Sequence, residues 1–495
     1  MNYNNWLKKR ERYAPHKEAV IDTVSGKRYT YRELNRKANR LAGYLQQTCK
    51  LKAEDRLAVV SKNNVEYLIL FFACAKVGIV MVPLNYRLPK AGLSELLDDA
   101  DPHLVVYSDE FSFVKDDFEA ISFNDVSGVL SSSQPAGQIF EADPEDIAMI
   151  LYTSGTTAQS KGAMISWRQI HWNSMNTEIS LELTGQDCAF VNTPFYHTGG
   201  WHVLLTPLIH HGGKLVLQPE FNAAECNKLI EEEDITILFG IPTMLRMMME
   251  EPNFDEVDVD SVRFAICGGE SCPIPIINRY KEKGIPIRQG YGLTEAGPNC
   301  YSLPAEDAIR KKGSVGFPNF HIGVKIVDED NQEVPQGEVG ELLMKGPHLF
   351  AGYWKNPDAT KVTIDNGWVH TGDLFRCDDD GYYYMVGRKK EMYISGGENV
   401  YPVQVEKVIY EHEAVAQVAV IGVPDEQWGE TGCAFVVLKD GASLTEKKLQ
   451  SYCREYLAGY QTPKHIFFRD AMPIGDSNKI QKRVLEEEFK QRSHE

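Results

Sequence analysis

"YLILFFACAKVGIVMVPL", residues 67–84, is the most apolar run of the chain, and its reading separates a membrane-spanning segment from the core of an α/β fold. Its length would just allow a span. Lys76 and Gly78 interrupt it and Pro83 closes it, which fits a buried helix running into a buried strand. On either side, amphipathic stretches such as "TYRELNRKANRLAGYLQ" (30–46) alternate with short β-branched runs, among them "LAVV", "LVVY", "KLVLQP", "ITILFG" and "VRFAICGGE". That alternation predicts βαβ units and mostly parallel sheets. Gly- and Ser-rich loops follow several of these runs, at the strand ends where open α/β sheets hold ligands.

Past about residue 320 the pattern becomes "GVKIVDEDNQEVPQGEVGELLMKG", whose alternation and turn residues predict antiparallel strands in a small barrel-like subdomain. A hairpin in "DDDGYYYMVGRKKEMYISGGENVYP" ends at Gly387, and a basic run then leads into another α/β pattern. The expected fold is therefore α/β. A large N-terminal domain, 1–388, carries mostly parallel sheets and the barrel-like subdomain, and a small α+β C-terminal domain, 389–495, follows it. "VSGVLSSSQPAGQ" (126–138) reads as a surface loop.

At 495 residues with 43% hydrophobic content, the chain is long enough for at least two cores. A net charge of −18 and a pI near 5.3, without a basic stripe, argue against a nucleic-acid partner. Ten cysteines lie scattered without a C-x-x-C pair or zinc spacing, as in a reduced cytoplasmic protein. The start, "MNYNNWLKKRERY", shows no signal peptide or lipid anchor, and no integral membrane segment is expected. A homodimer is left open.

"YTSGTTAQSKG" (152–162) supplies the hydroxyls of Thr153, Ser154, Thr156, Thr157 and Ser160, the backbone freedom of Gly155 and Gly162, and the charge of Lys161. Such a set suits phosphate oxygens. It is not a Walker A loop, because Gly162 stands where a hydroxyl should follow the lysine. Alone, such a cluster is more often a solvated loop.

Its companions change that. "PFYHTGG" (194–200), "GGES" (268–271), "QGYGLTEAG" (289–297), "GWVHTGDL" (367–374), "GRKKEMYISGGENVYP" (387–402) and "SNKIQK" (477–482) follow in order. The ordered set resembles the adenylate-forming superfamily of acyl-CoA synthetases, aryl-CoA ligases, adenylation domains and luciferases over nearly the whole chain. The resemblance implies ATP, Mg²⁺ and coenzyme A as co-reactants and a small carboxylic acid as substrate. It places Thr153, Ser154, Gly155, Thr156, Thr157 and Lys161 on the β- and γ-phosphates, Thr294 on the α-phosphate and Glu295 on Mg²⁺. Adenine would lie between Gly268, Gly269, Glu270 and the segment Gln289, Gly290, Tyr291, Gly292. Asp373 would accept from both ribose hydroxyls, with Arg388 as a second ribose or phosphate contact. Lys479 would bridge the acid carboxylate and the α-phosphate. Ser395, Gly396 and Gly397 would line a pantetheine tunnel after the C-terminal domain swings about Lys390.

The acyl pocket implied by the same resemblance is drawn from His197, Trp201, His202, Phe239, Gly240 and Gly290, with His197 also a candidate to touch the carboxylate. Gly290 leaves the channel open, which favours a medium- or long-chain fatty acid or an aryl acid over acetate. No paired arginine is evident, although an o-succinylbenzoate-type acid fits the motifs too. A stand-alone enzyme that loads a carrier protein and a non-catalytic adenylate-binding protein are the alternatives. Ala158 and Ser160 stand where the superfamily has glycine and proline, Gln404 replaces a common glutamate, and "PIGDSNK" lacks the arginine and glycine that often precede the lysine.

Overall fold

Residues 65–84 form the helix Val65–Val77 and the strand Val80–Pro83. Asn64 caps the helix by accepting from the Tyr67 N–H, and Gly78, at φ 79°, ends it in the left-handed conformation that favours glycine. Every residue of this helix except Glu66 is buried. Lys76 is tolerated there because its ammonium donates to Asn35 Oδ1 at 2.7 Å and Asn5 Oδ1 at 3.1 Å. Burial nevertheless pushes its pKa down to about 8.

The structure, a computed structural model, describes residues 3–132, 134–136, 139–153, 160–475 and 480–492. Ser154, Gly155, Thr156, Thr157, Ala158 and Lys479 therefore lie outside the described residues. The chain folds as two compact units, Met1–Val324 with Met344–His370 and Lys325–Leu343 with Thr371–Glu495. This grouping follows compactness, whereas the sequence boundary after residue 388 concerns where the chain could swivel.

The first unit holds two sheets. The larger runs Phe317–Pro318, Gly297–Ser302, Ile287–Leu293, Phe264–Cys267, Ile237–Gly240, Cys188–Val191, Lys214–Leu217, Glu18–Asp22 and Arg28–Thr30. It is parallel through its middle and antiparallel at both edges. The second contains Ile147–Thr153 between the parallel strand Val80–Pro83 and the antiparallel strand Lys161–Ser166. Helices cover the parallel strands, so those strands are buried end to end, as in Leu104–Tyr107 and Phe264–Cys267. Among the described residues no helix is long and apolar enough to cross a membrane.

Most of the antiparallel hairpin Trp368–Cys377 with Tyr383–Arg388, and of the neighbouring strand Gly340–Lys345, belongs to the second unit, as the alternating pattern predicts. Its other sheet orders Glu398–Val400, Tyr393–Ser395, Gly429–Leu438 and Val415–Asp425, and His465–Phe468 joins Gly429–Leu438 in parallel. Val405 and Ile409 of the helix Pro402–Tyr410 close its core against Val420 and Val436.

One expectation is overturned. The patch 126–138 is not simply a loop, because Phe123–Ser132 is a helix. Phe123, Val126 and Leu130 recur at helical spacing and are buried, and Ser122 Oγ accepts from the Asp125 N–H while Asp125 Oδ2 accepts from the Ser122 N–H.

Candidate active site

The strands on either side of the phosphate-type segment, Ile147–Thr153 and Lys161–Ser166, pair antiparallel, and Thr153 faces Lys161 across the ladder. Thr153 Oγ1 donates to the Lys161 carbonyl at 3.3 Å, tying the ends of the two strands together. The Lys161 ammonium lies 5.3 Å from the ring centre of Tyr353. The Tyr353 hydroxyl donates to Glu295 Oε1 at 2.7 Å. Burial first, and then the neighbouring Glu295 carboxylate, raises the Tyr353 phenol, which keeps it a donor. Glu295 sits in the one-turn helix Thr294–Ala296 that follows the strand Ile287–Leu293. Its carbonyl accepts from Phe350 N at 2.8 Å, and the Thr294 carbonyl accepts from Gln169 Nε2 at 2.9 Å. Two motifs far apart in sequence thus meet at one tyrosine.

Gly268–Glu270 follow the strand Phe264–Cys267, and Gln289–Gly292 lie in the neighbouring parallel strand. Gly269 has φ 82°, and Gly269 and Glu270 are exposed. The Gln289 side chain ties the two segments: its Oε1 accepts from Cys272 N at 2.9 Å and its Nε2 donates to the Ser314 carbonyl at 3.1 Å. The ring of Tyr291 is buried edge-on to Tyr301, with 5.8 Å between ring centres. Tight packing accounts for Gly292, where a Cβ would come within 2.3 Å of the Pro298 backbone. At Gly290 the nearest atoms would be Tyr301 O at 3.4 Å and Ile266 Cγ2 at 4.0 Å, so space remains there.

The acyl candidates divide into two groups. The Phe239 ring sits 3.7 Å from a Cβ placed on Gly199 and 3.6 Å from one on Gly268, so it joins the "HTGG" and "GGES" segments. His197 begins the helix Thr198–His202 with its ring against Tyr196, 4.4 Å between centres. Gly240 packs instead against Leu245 and Met244. Trp201 is fully buried, stacked on Phe195 at 4.3 Å, and its indole donates to the Phe195 carbonyl. His202 is also buried, 3.1 Å from Thr206 Oγ1, and burial pushes its pKa down to about 3. It is neutral near pH 7 and brings no positive charge to a carboxylate.

In the second unit, Asp373 and Arg388 are register partners, with Arg388 Nε 3.4 Å from Asp373 Oδ1. Asp373 is buried, and its N–H donates to Thr371 Oγ1 at 3.1 Å. Lys390 has its pKa lowered, by burial first and by Arg388 second. Ser395 is buried and closes the hairpin Tyr393–Ser395 with Glu398–Val400, whose turn glycines have φ 62° at Gly396 and 87° at Gly397. Two positive φ values in a two-residue turn are the mirror-image type that suits the twist of a hairpin. Lys482 is held by Glu406 at 2.8 Å and Glu391 at 2.9 Å, and these carboxylates outweigh burial to raise its pKa.

Residues 7–354 match the model of the AMP-binding enzyme family, and residues 404–479 match the AMP-binding enzyme C-terminal domain. The chain belongs to the AMP-binding enzyme family. It is 35% identical to a feruloyl-CoA synthase of Amycolatopsis over 494 residues, covering 98% of each chain. It is also 35% identical to a long-chain-fatty-acid–CoA ligase of Mycobacterium tuberculosis, covering 98% of this chain and 97% of the relative. Among solved structures, the o-succinylbenzoate coenzyme A synthetase of Bacillus subtilis in complex with ATP and magnesium ion superposes with a TM-score of 0.89 at 29% identity. That match covers 97% of this chain and 99% of the other.

For an AMP-binding enzyme, two residues of this site escape the motif reading. Tyr353 follows Gly352 in the short strand of "AGYWKNP", and nothing in that spelling announces a partner for Glu295. Arg288 precedes "QGYG", and strand alternation puts it on the same face as Gly290, a signal that only becomes specific once its surroundings are known.

Proposed function

We propose that the protein is an ATP-dependent acid:CoA ligase of the AMP-forming kind, acting in two steps. A carboxylate oxygen attacks the α-phosphorus of ATP and pyrophosphate leaves. The thiol of CoA, after losing its proton, then attacks the acyl carbonyl, and AMP leaves. The observation that carries this reading is the meeting of Lys161 and Glu295 at Tyr353, at the carboxyl end of the Ile287–Leu293 strand. It joins a cation for phosphate oxygens to a carboxylate whose second oxygen is left for a hard metal ion.

Mg²⁺ fits this donor set. Among the described residues no group of three His, Cys, Asp or Glu side chains could hold a metal unaided. A single carboxylate suits Mg²⁺, which takes most of its remaining ligands from phosphates and water. Glu295 would hold the ion, and when bound the ion would neutralise charge on the phosphates. Tyr353 orients that carboxylate, and Lys161 with the loop hydroxyls receives the β- and γ-phosphates. Asp373 accepts from the ribose hydroxyls, and Arg388 supports it.

Lys479 supplies the cation of the first step, and the second follows when the C-terminal part of the chain turns about Lys390 and Ser395–Gly397 receive the pantetheine arm. The acid is a fatty or aryl acid, a range spanned by the relatives named above. The test is Lys479→Ala, assayed for pyrophosphate release and separately for thioester formation from supplied acyl-adenylate. A loss of roughly 10²-fold or more in the first step alone is expected. Equal loss in both steps contradicts the division of labour. Release with no acid of a broad panel overturns the ligase reading, and turnover only with a carrier protein replaces CoA as the acceptor.

A further inference from the structure

Beyond Gly290, on the side away from Thr294, the same strand face carries Arg288, two residues or about 7 Å further along. Its guanidinium is partly buried and faces Phe264, 5.2 Å from the ring centre. Nε donates to the Leu303 carbonyl at 3.2 Å, and Nη2 donates to the Ser180 carbonyl at 2.7 Å and to Ser302 Oγ at 2.9 Å. Among the described residues Nη1 has no hydrogen-bond partner, and no carboxylate lies within ion-pair distance of this arginine. Arg288 and Gly290 line one partly open pocket, about 10 Å³ in water-accessible volume, together with Ser180, Ile266, Tyr301 and Ser302. That is room for one water or one oxygen.

A charged group that is partly buried gains from an acceptor on each donor that faces the pocket. Resting on the ligase reading above, we propose that Arg288 selects an acid bearing a single neutral oxygen, a hydroxyl or carbonyl, at the end remote from its carboxylate. The tail passes Gly290, and its oxygen takes the water-sized space and accepts from Nη1. The space is too small for both oxygens of a second carboxylate, and only one guanidinium nitrogen is free, so the bidentate grip that favours dicarboxylates is missing. A plain alkyl or aryl tail would leave Nη1 dehydrated and unpartnered, which lowers its selection.

The test uses the full chain and matched acids scored for thioester formation: cinnamic, para-hydroxycinnamic and para-carboxycinnamic acids, with decanoic and ω-hydroxydecanoic acids as the alkyl pair. The wild-type enzyme is expected to prefer the hydroxylated member of at least one pair by about 10- to 100-fold in kcat/KM, and to disfavour the para-carboxy acid. Arg288→Met is expected to bring the hydroxyl preference to within about threefold of unity, whereas Arg288→Lys retains part of it. Because Arg288 also ties Ser180 and Leu303, the wild-type comparison stands alone if Arg288→Met does not fold. Thioester formation from plain acids without a hydroxyl preference, a preference surviving in Arg288→Met, or a leading para-carboxy acid overturns the assignment and leaves the ligase reading intact. No thioester or pyrophosphate from any acid removes both.

Discussion

The strand Ile287–Leu293 and the turn at Gly396–Gly397 both carry two glycines of a candidate-site motif, and they need them for different reasons. In the strand the requirement is space: a Cβ on Gly292 would lie 2.3 Å from the Pro298 backbone, while Gly290 has room for one. In the turn the requirement is conformation: both residues have positive φ. Gly396 adds a crowded neighbour, Trp428, whose Cε3 would lie 2.7 Å from a Cβ, whereas Gly397 has nothing within 4 Å. A glycine-rich motif is therefore a set of separate constraints.

The largest expected effect is at Gly292→Ala. Backbone atoms cannot rotate out of the way, so the two strands must part or the chain must bend, at a cost of about 3 kcal/mol or more. Thermal unfolding and pyrophosphate release together read this, and a variant with wild-type melting would show that packing does not require this glycine. Next comes the turn. Gly396→Ala combines left-handed strain of about 1–2 kcal/mol with displacement of Trp428, and Gly397→Ala carries the strain alone. Hydrogen exchange over residues 393–400 should therefore rise more in the first variant than in the second. Equal exchange would mean that Trp428 moves freely and that φ alone governs the turn.

The sequence made the fold legible where burial imposes a period. The run 67–84 became a helix and a strand because Lys76, Gly78 and Pro83 leave little else for it to be, and "LVVY" is the buried parallel strand Leu104–Tyr107. The helix Phe123–Ser132 was hidden because serine and glycine dominate its composition, although Phe123, Val126 and Leu130 and the Ser122–Asp125 box spell it out. Within the candidate site, motif reading reached Glu295 through "LTEAG" but not the tyrosine that holds it. Tyr353 approaches Glu295 across two different sheets, and no local pattern encodes that meeting. Arg288 shows the same limit from another side: alternation assigns its face, but which of its nitrogens is satisfied depends on carbonyls contributed by Ser180 and Leu303.

The smallest expected effect on stability is at Gly290→Ala, and it is the most informative about function. The added methyl group meets Tyr301 O at 3.4 Å and Ile266 Cγ2 at 4.0 Å, ordinary contacts, and Gly290 is not among the residues with positive φ. Melting should therefore change by no more than about 0.5 kcal/mol in equivalent stability. The methyl nevertheless enters the pocket that Gly290 shares with Arg288, past which the proposed acyl tail would run. Acids long enough to reach that cavity should lose thioester formation by about tenfold or more, while short acids that stop before Gly290 are spared. A uniform loss across chain lengths would mean that Gly290 serves the adenylate rather than the acyl tail. A change confined to long acids would separate the two glycines of this strand into one that the fold requires and one that the substrate requires.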